Sequence, residues 1–170
     1  MKVYLIRHAQ AEHNVTGNTG MFDPPITLLG KQQCDDKREN YKDVHLVLAS
    51  TSTRVLESAS LLFDQPIYAT DLLLEYNTGA SCNCRYDLNH QKNKFPNVNF
   101  DTYLVPPLSK ETTWQDGELR AKKVIELIKT IDTPVLAVVS HANFIRNIMT
   151  LLKSYNPTEL ENCGCYTITL

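Results

Sequence analysis

Two histidines stand where apolar runs stop. The first run ends in Leu5-Ile6 and leads into Arg7-His8-Ala9-Gln10-Ala11-Glu12-His13-Asn14. The second, Pro134-Val135-Leu136-Ala137-Val138-Val139, leads into Ser140-His141-Ala142-Asn143. Short apolar runs bounded by turn-forming residues read as buried strands, and open α/β sheets bind ligands outside the carboxyl ends of their strands. A histidine at such an end can act as a nucleophile when one ring nitrogen is deprotonated and the other donates to a fixed acceptor. Arg7 beside His8 offers a planar fork matched to phosphate oxygens. Moving a phosphoryl group needs this combination, a nucleophile among donors fixed around three oxygens. Arg54 falls one turn into a predicted helix that follows a second strand. It brings another guanidinium to the same edge, and the helix N-terminus can come with it. His141, when protonated, supplies a further donor, and Asn14 a neutral one.

The elements that must position these groups follow from the hydrophobic pattern. Lys2 to Ile6, His45 to Ala49, Pro66 to Ala69, Val135 to Val139 and Tyr166 to Leu170 read as strands. Thr27 can cap a helix running to about Tyr41, and Thr51 to Thr53 supply caps for one over Arg54 to Phe63. Thr113 to Ile131 is amphipathic, with Val124, Leu127, Ile128 and Ile131 on one face. Asn143 to Leu152 is the last helix. Residues 9–25 read as a long loop, and residues 76–111, rich in Asn, Pro, Ser and Thr, as irregular. Strands alternating with helices imply a single α/β domain over residues 1–170, a three-layer α/β/α sandwich with a mostly parallel central sheet.

Four ordered stretches carry a family resemblance. They are Arg7-His8 with Asn14, Asp23-Pro24-Pro25-Ile26-Thr27-Leu28-Leu29-Gly30, Ser50-Thr51-Ser52-Thr53-Arg54-Val55-Leu56-Glu57-Ser58-Ala59, and Ser140-His141. Together they resemble the histidine phosphatase superfamily, the phosphoglycerate-mutase-like proteins. The resemblance implies that His8 becomes phosphorylated, that Arg7, Asn14, Arg54 and His141 line the phosphate pocket, and that no metal or organic cofactor is needed. It also implies an acidic proton donor after the third strand. Glu75 in Asp71-Leu72-Leu73-Leu74-Glu75 fits that position, and Asp71 competes with it. Ala9 and Ala142 replace glycines common in the family. If those positions require positive φ, alanine costs energy there, and His8 could be misaimed. The segment Glu75-Tyr76-Asn77-Thr78-Gly79, Cys82-Asn83-Cys84-Arg85, Phe95-Pro96 to Phe100 and Trp114 is similar to a plant and fungal branch of phosphoglycerate-mutase-like phosphatases.

Composition narrows the partners. Seventeen basic and nineteen acidic side chains leave a net charge of −2, which argues against a nucleic-acid or anionic-membrane partner held by bulk electrostatics. No apolar run approaches the ~20 residues of a membrane span, and no secretory signal is visible. Five cysteines, an odd number, then suggest reduced thiols in a cytoplasmic setting. Cys82/Cys84 and Cys163/Cys165 are spaced too closely for a usual structural zinc site. The expected partner is a small phosphorylated substrate or a phosphoprotein, and the oligomeric state stays open. The leading reading is a metal-independent phosphomonoesterase. A phosphomutase of the same superfamily, or a non-catalytic phosphate-recognition module, are the alternatives. His13, His45 and His90 read as solvent-facing or satisfied polar residues.

Overall fold

The computed structural model describes residues 1–76, 78–105, 108, 110–111, 113–154 and 160–170. Asn77, part of the middle-segment resemblance, lies outside the described residues. Among the described residues, six strands form one sheet: β1 (Lys2–Arg7), β2 (Leu46–Ser50), β3 (Ile67–Thr70), β4 (Val98–Asn99), β5 (Val135–Ser140) and β6 (Cys165–Thr169). Their order is β4-β3-β2-β5-β1-β6. All neighbours run parallel except β6, which is antiparallel to β1.

Side chains alternate across each strand, and the two sets meet different helices. Tyr4, Ile6, Val47, Ala49, Ala137 and Val139 build one apolar layer with Cys34, Val55, Leu56 and Ala59. Those four come from α2 (Leu28–Lys37) and α3 (Thr53–Leu62). Val3, Leu5, Leu48, Leu136 and Val138 build the other layer with Val124, Ile128, Phe144 and Ile148. These come from α5 (Trp114–Lys129) and α6 (Ala142–Leu151). The result is the three-layer sandwich expected from the sequence.

Three stretches depart from the sequence reading. The expected loop at residues 9–25 contains a five-residue helix, α1 (Glu12–Thr16), ended by Gly17 at φ 66°. The expected irregular segment 76–111 contains α4 (Leu88–Lys94), whose first turn is capped by Asp87, and the two-residue β4. The helix started by Thr27 ends at Lys37, and a 3₁₀ turn, Arg38–Tyr41, completes the predicted span. Among the described residues, no helix is long and apolar enough to cross a membrane.

Candidate active site

Register sets the site. Arg7 of β1 pairs with Ser140 of β5, so the residues that follow, His8 and His141, leave the sheet at the same level. β2 lies on the other flank of β5, with Ala49 level with Val139. Its end therefore delivers Ser50, Ser52 and the first turn of α3 to the same edge. The rings of His8 and His141 sit edge-on, 5.3 Å between centroids.

Arg54 links them. It is 1% exposed. Its Nε donates to His8 Nε2 at 3.3 Å, its Nη1 to the Cys82 carbonyl at 2.7 Å, and its Nη2 to His141 Nδ1 at 3.1 Å. Among the described residues it forms no ion pair with a carboxylate. A guanidinium stays charged, and buried charges are normally paired. Its direct partners are neutral acceptors, while Glu75 and Asp23 act on its charge without touching it, an environment in which an anion beside Arg54 would be stabilised.

The hydrogen bonds assign both tautomers. His8 Nδ1 donates to the Ala9 carbonyl at 2.8 Å, which leaves Nε2 as acceptor facing Arg54. His141 Nδ1 accepts from Arg54, so its Nε2 carries the proton and donates to Ser50 Oγ at 3.1 Å, with Ser52 Oγ at 3.4 Å. Burial, followed by the Arg54 charge, pulls both rings well below the ordinary 6.5, and Arg7 adds to the effect on His8. Both imidazoles are therefore neutral at neutral pH. His8 has the form that a nucleophile requires.

The backbone around His8 is held from three sides. The Ala9 N–H donates to Ser58 Oγ at 3.0 Å, and that hydroxyl donates to the Arg54 carbonyl at 2.7 Å. The His8 carbonyl accepts from the Cys163 N–H at 3.0 Å. Gly30 sits against the following turn, where a Cβ would lie 2.3 Å from the Gln10 carbonyl oxygen. The concern over Ala9 and Ala142 does not arise, because neither is among the residues with positive φ.

The remaining expected residues take these places. Arg7 adds its charge beside His8, while its Nη1 donates to the Leu160 carbonyl at 2.7 Å. Asn14 is exposed, and its Oδ1 accepts from the Ala11 N–H at 3.0 Å and from Asn162 at 3.2 Å. Glu75 is buried. Its Oε1 accepts from the N–H groups of Tyr76 and Phe144, both at 3.1 Å, and its Oε2 from Asn143 at 3.2 Å. It thereby caps α6, whose N-cap residue His141 makes no side-chain cap. Burial raises the Glu75 carboxyl above its ordinary value, while the backbone donors and the Arg54 and Arg120 charges oppose that rise. Asp71, the competitor, holds Arg85 through two 2.7 Å hydrogen bonds and accepts from Thr51.

Two expectations need correction. The N-terminus of α3 does not offer its first donor to a ligand, because Asp23 accepts from the Thr53 N–H and hydroxyl, both at 2.8 Å. His13, read as solvent-facing or as a satisfied polar residue, is neither fully exposed nor fully satisfied, since its Nδ1 meets no partner among the described residues. It is half-buried with its ring 6.0 Å from that of His8. Burial first, then the Arg54 and Arg7 charges, lower it to about 4.

Comparison with known proteins places this arrangement. The sequence profile of the histidine phosphatase superfamily (branch 1) matches residues 3–170. The chain belongs to the histidine phosphatase superfamily. A phosphoglycerate mutase-like protein of Arabidopsis thaliana is 24% identical over 219 residues, covering 95% of this chain and 81% of that protein. Among solved structures, Bacillus stearothermophilus YhfR aligns with a TM-score of 0.73 at 21% identity, covering 99% and 91% of the two chains. Phosphoserine phosphatase from Entamoeba histolytica, in complex with 3-phosphoglyceric acid, aligns with a TM-score of 0.70 at 23% identity over 99% and 90%. These structural likenesses establish a histidine-phosphatase fold. Among the described residues, no cluster of three or more His, Cys, Asp or Glu side chains could hold a metal, and the five cysteines are free thiols.

Some of the site's supports are side chains that the sequence reading did not single out. Ser50, Ser52 and Ser58 lie inside a motif already quoted, yet only the fold shows them turned towards His141 and Ala9. The Cys82 carbonyl that holds Arg54 is a backbone group, which no residue type announces.

Proposed function

We propose that the protein is a metal-independent phosphomonoesterase working through a phosphohistidine on His8. The observation that carries this reading is the buried Arg54 guanidinium bridging His8 Nε2 and His141 Nδ1, with no carboxylate ion-paired to it among the described residues. A phosphoryl group lying there meets a nucleophilic nitrogen and a fixed cation together. Arg7 adds a second positive charge near His8. A dianion beside Arg54 offsets the charge that, after burial, keeps His141 neutral. His141 then takes up a proton from solvent on Nδ1 as a phosphoryl oxygen replaces that nitrogen as the acceptor for Arg54 Nη2, and the new Nδ1–H hydrogen-bonds to the phosphoryl group.

A phosphoryl oxygen takes over the Arg54 Nε–H, which frees the lone pair of His8 Nε2; that nitrogen attacks phosphorus, and the P–O bond to the leaving alcohol breaks. Glu75 supplies the proton to the leaving oxygen. Its Oε1 already accepts two N–H groups, whereas Oε2 accepts one. Oε2 is therefore the oxygen that carries the proton. In the second step a water gives its proton back to Glu75, its oxygen bonds to phosphorus, and the N–P bond breaks to release inorganic phosphate. Proton transfer of this kind contributes typically ~10²–10⁴-fold.

The test is hydrolysis of p-nitrophenyl phosphate by the wild type and by His8→Ala, with and without a chelator. Turnover that survives chelation and disappears in the variant is expected. Labelled phosphoryl groups should be trapped on wild-type protein in a form stable to alkali and labile to acid. Full activity of His8→Ala, or strict metal dependence, would overturn the reading.

A further inference from the structure

His13 is the third imidazole of the pocket, and its hydrogen bonds assign its tautomer. The Ala11 N–H can only donate, so the Asn14 atom it meets at 3.0 Å is the carbonyl Oδ1, which also accepts from Asn162. The other end of that amide, Nδ2, is a donor and faces His13 Nε2 at 3.2 Å. His13 Nε2 must accept, so the neutral ring carries its proton on Nδ1. That Nδ1–H is buried and meets no hydrogen-bond partner among the described residues. An unpaired buried donor is costly and calls for an explanation.

The surroundings supply one. The His13 ring lies 6.0 Å from His8, tilted by 42°, and the charges that act on it are those of Arg54 and Arg7. A nucleophile sits about 3–3.5 Å from the atom it attacks. Arg54, whose Nε donates to His8 Nε2 at 3.3 Å, also acts on the His13 ring, so a phosphoryl group held beside Arg54 at His8 Nε2 lies close to both rings. We propose that His13 is a substrate-contacting residue whose Nδ1–H donates to an oxygen of the phosphoryl group attacked by His8. This rests on the phosphate reading of the pocket and adds a ligand to it. Asn14 then acts through His13, as the residue that keeps the proton on the correct nitrogen. The five-residue α1 gives the ring its place, with the Gly17 N–H closing the helix on the His13 carbonyl at 3.0 Å.

The tautomer makes the test specific. In His13→Asn the side-chain amide nitrogen can stand where Nδ1 stood. In His13→Gln it reaches the Nε2 position, and in His13→Phe both donors are gone. The readouts are competitive inhibition by inorganic phosphate, kcat and KM for p-nitrophenyl phosphate, and the NMR titration of the His13 ring with and without phosphate. His13→Phe and His13→Gln are expected to weaken phosphate inhibition about 10- to 100-fold, the range for a hydrogen bond to a charged group. His13→Asn should recover part of that loss, and added phosphate should raise the His13 pKa in the wild type. Equal phosphate affinity in wild type and His13→Phe, or an Asn variant no better than Phe, would overturn the proposal while leaving the pocket intact. Should the wild type neither bind phosphate nor hydrolyse the ester, both this proposal and the phosphate reading fall.

Discussion

Glu75→Gln separates two roles that one carboxyl group plays. As a cap, Glu75 satisfies three buried N–H groups at the turn into α6. As a proposed acid, it must release a proton. Glutamine keeps the oxygen facing Tyr76 and Phe144 but places an amide NH₂ against the Asn143 N–H. One hydrogen bond is lost and the buried Asn143 N–H is left without its acceptor, about 1–3 kcal/mol. At about 2–4 °C per kcal/mol for a domain of this size, Tm should fall by on the order of 10 °C or less. Alanine would leave three buried donors unpaired at about 1–3 kcal/mol each, a loss comparable with the whole stability of a typical domain. Gln is therefore the informative variant. An alkyl phosphate has a poor leaving group and should be slowed about 10²–10⁴-fold. An aryl phosphate such as p-nitrophenyl phosphate needs little protonation and should retain most of its kcat/KM. Steady-state rates on the pair of esters, beside a thermal melt, decide the matter. An equal loss on both esters would refute the acid role and leave Glu75 as a cap. A leaving-group-dependent defect in Asp71→Asn instead would move the proton to Asp71, against its engagement with Arg85.

Two further outcomes follow from the packing and from the buried ionisable groups. Gly30→Ala drives a Cβ to 2.3 Å from the backbone oxygen of Gln10, so it should cost about 1–3 kcal/mol or more and lower activity by shifting the turn after His8. Thermal melts and p-nitrophenyl phosphate turnover measure both, and a neutral Gly30→Ala would contradict the close approach. Stability should also fall as pH drops below about 6.5. The buried His8 and His141 stay neutral when folded and gain protons on unfolding, each adding a slope of about 1.4 kcal/mol per pH unit. His13 does the same down to about 4, with a smaller, solvent-screened share. Glu75 has the opposite sign, because its raised folded value favours the folded form at low pH and that contribution is lost as pH rises through it. Three rings against one carboxyl leave a net loss. Urea midpoints at pH 7.5, 6 and 5 check it, and a flat or rising profile would count against the neutral-ring assignment.

The strands and long helices were legible because each has one apolar period. β1 and β5 alternate between two covered faces, and α5 carries its apolar residues at helical spacing. Placing His8, Arg54 and His141 together needed only strand ends and the order of elements. What was not legible has specific causes. β4 has two residues, too few for any period. α4 is seven residues long with Gln91 as its sole fully buried position, so composition outweighed the Asp87 cap. The direction of β6 is a matter of chain return, and composition does not encode it. His13 was misread because α1 is too short to announce itself. Without that helix the residue has no reason to turn back towards His8.

The acids near the pocket explain how its positive charge survives. Asp23 is taken up by Thr53, the Tyr86 N–H and Gln91. Asp71 is taken up by Arg85 and Thr51, and Glu75 by the start of α6. Each carboxyl group is satisfied by other donors, and none closes on Arg54, although Glu75 and Asp23 are near enough to act on its charge. Among the described residues, the groups that hydrogen-bond to the Arg54 guanidinium are two imidazoles held neutral by burial and by Arg54 itself, and one carbonyl. A neutral acceptor softens a buried charge without cancelling it. An arriving phosphoryl dianion therefore meets a cation already fixed in place, with no internal ion pair to break first, and such preorganisation is what stabilises charge developing in a transition state. The same logic ties catalysis to acid sensitivity. Protonating His8 removes the nucleophile's lone pair and sets a second cation against Arg54, so the condition that destroys the nucleophile also loosens the fold around it.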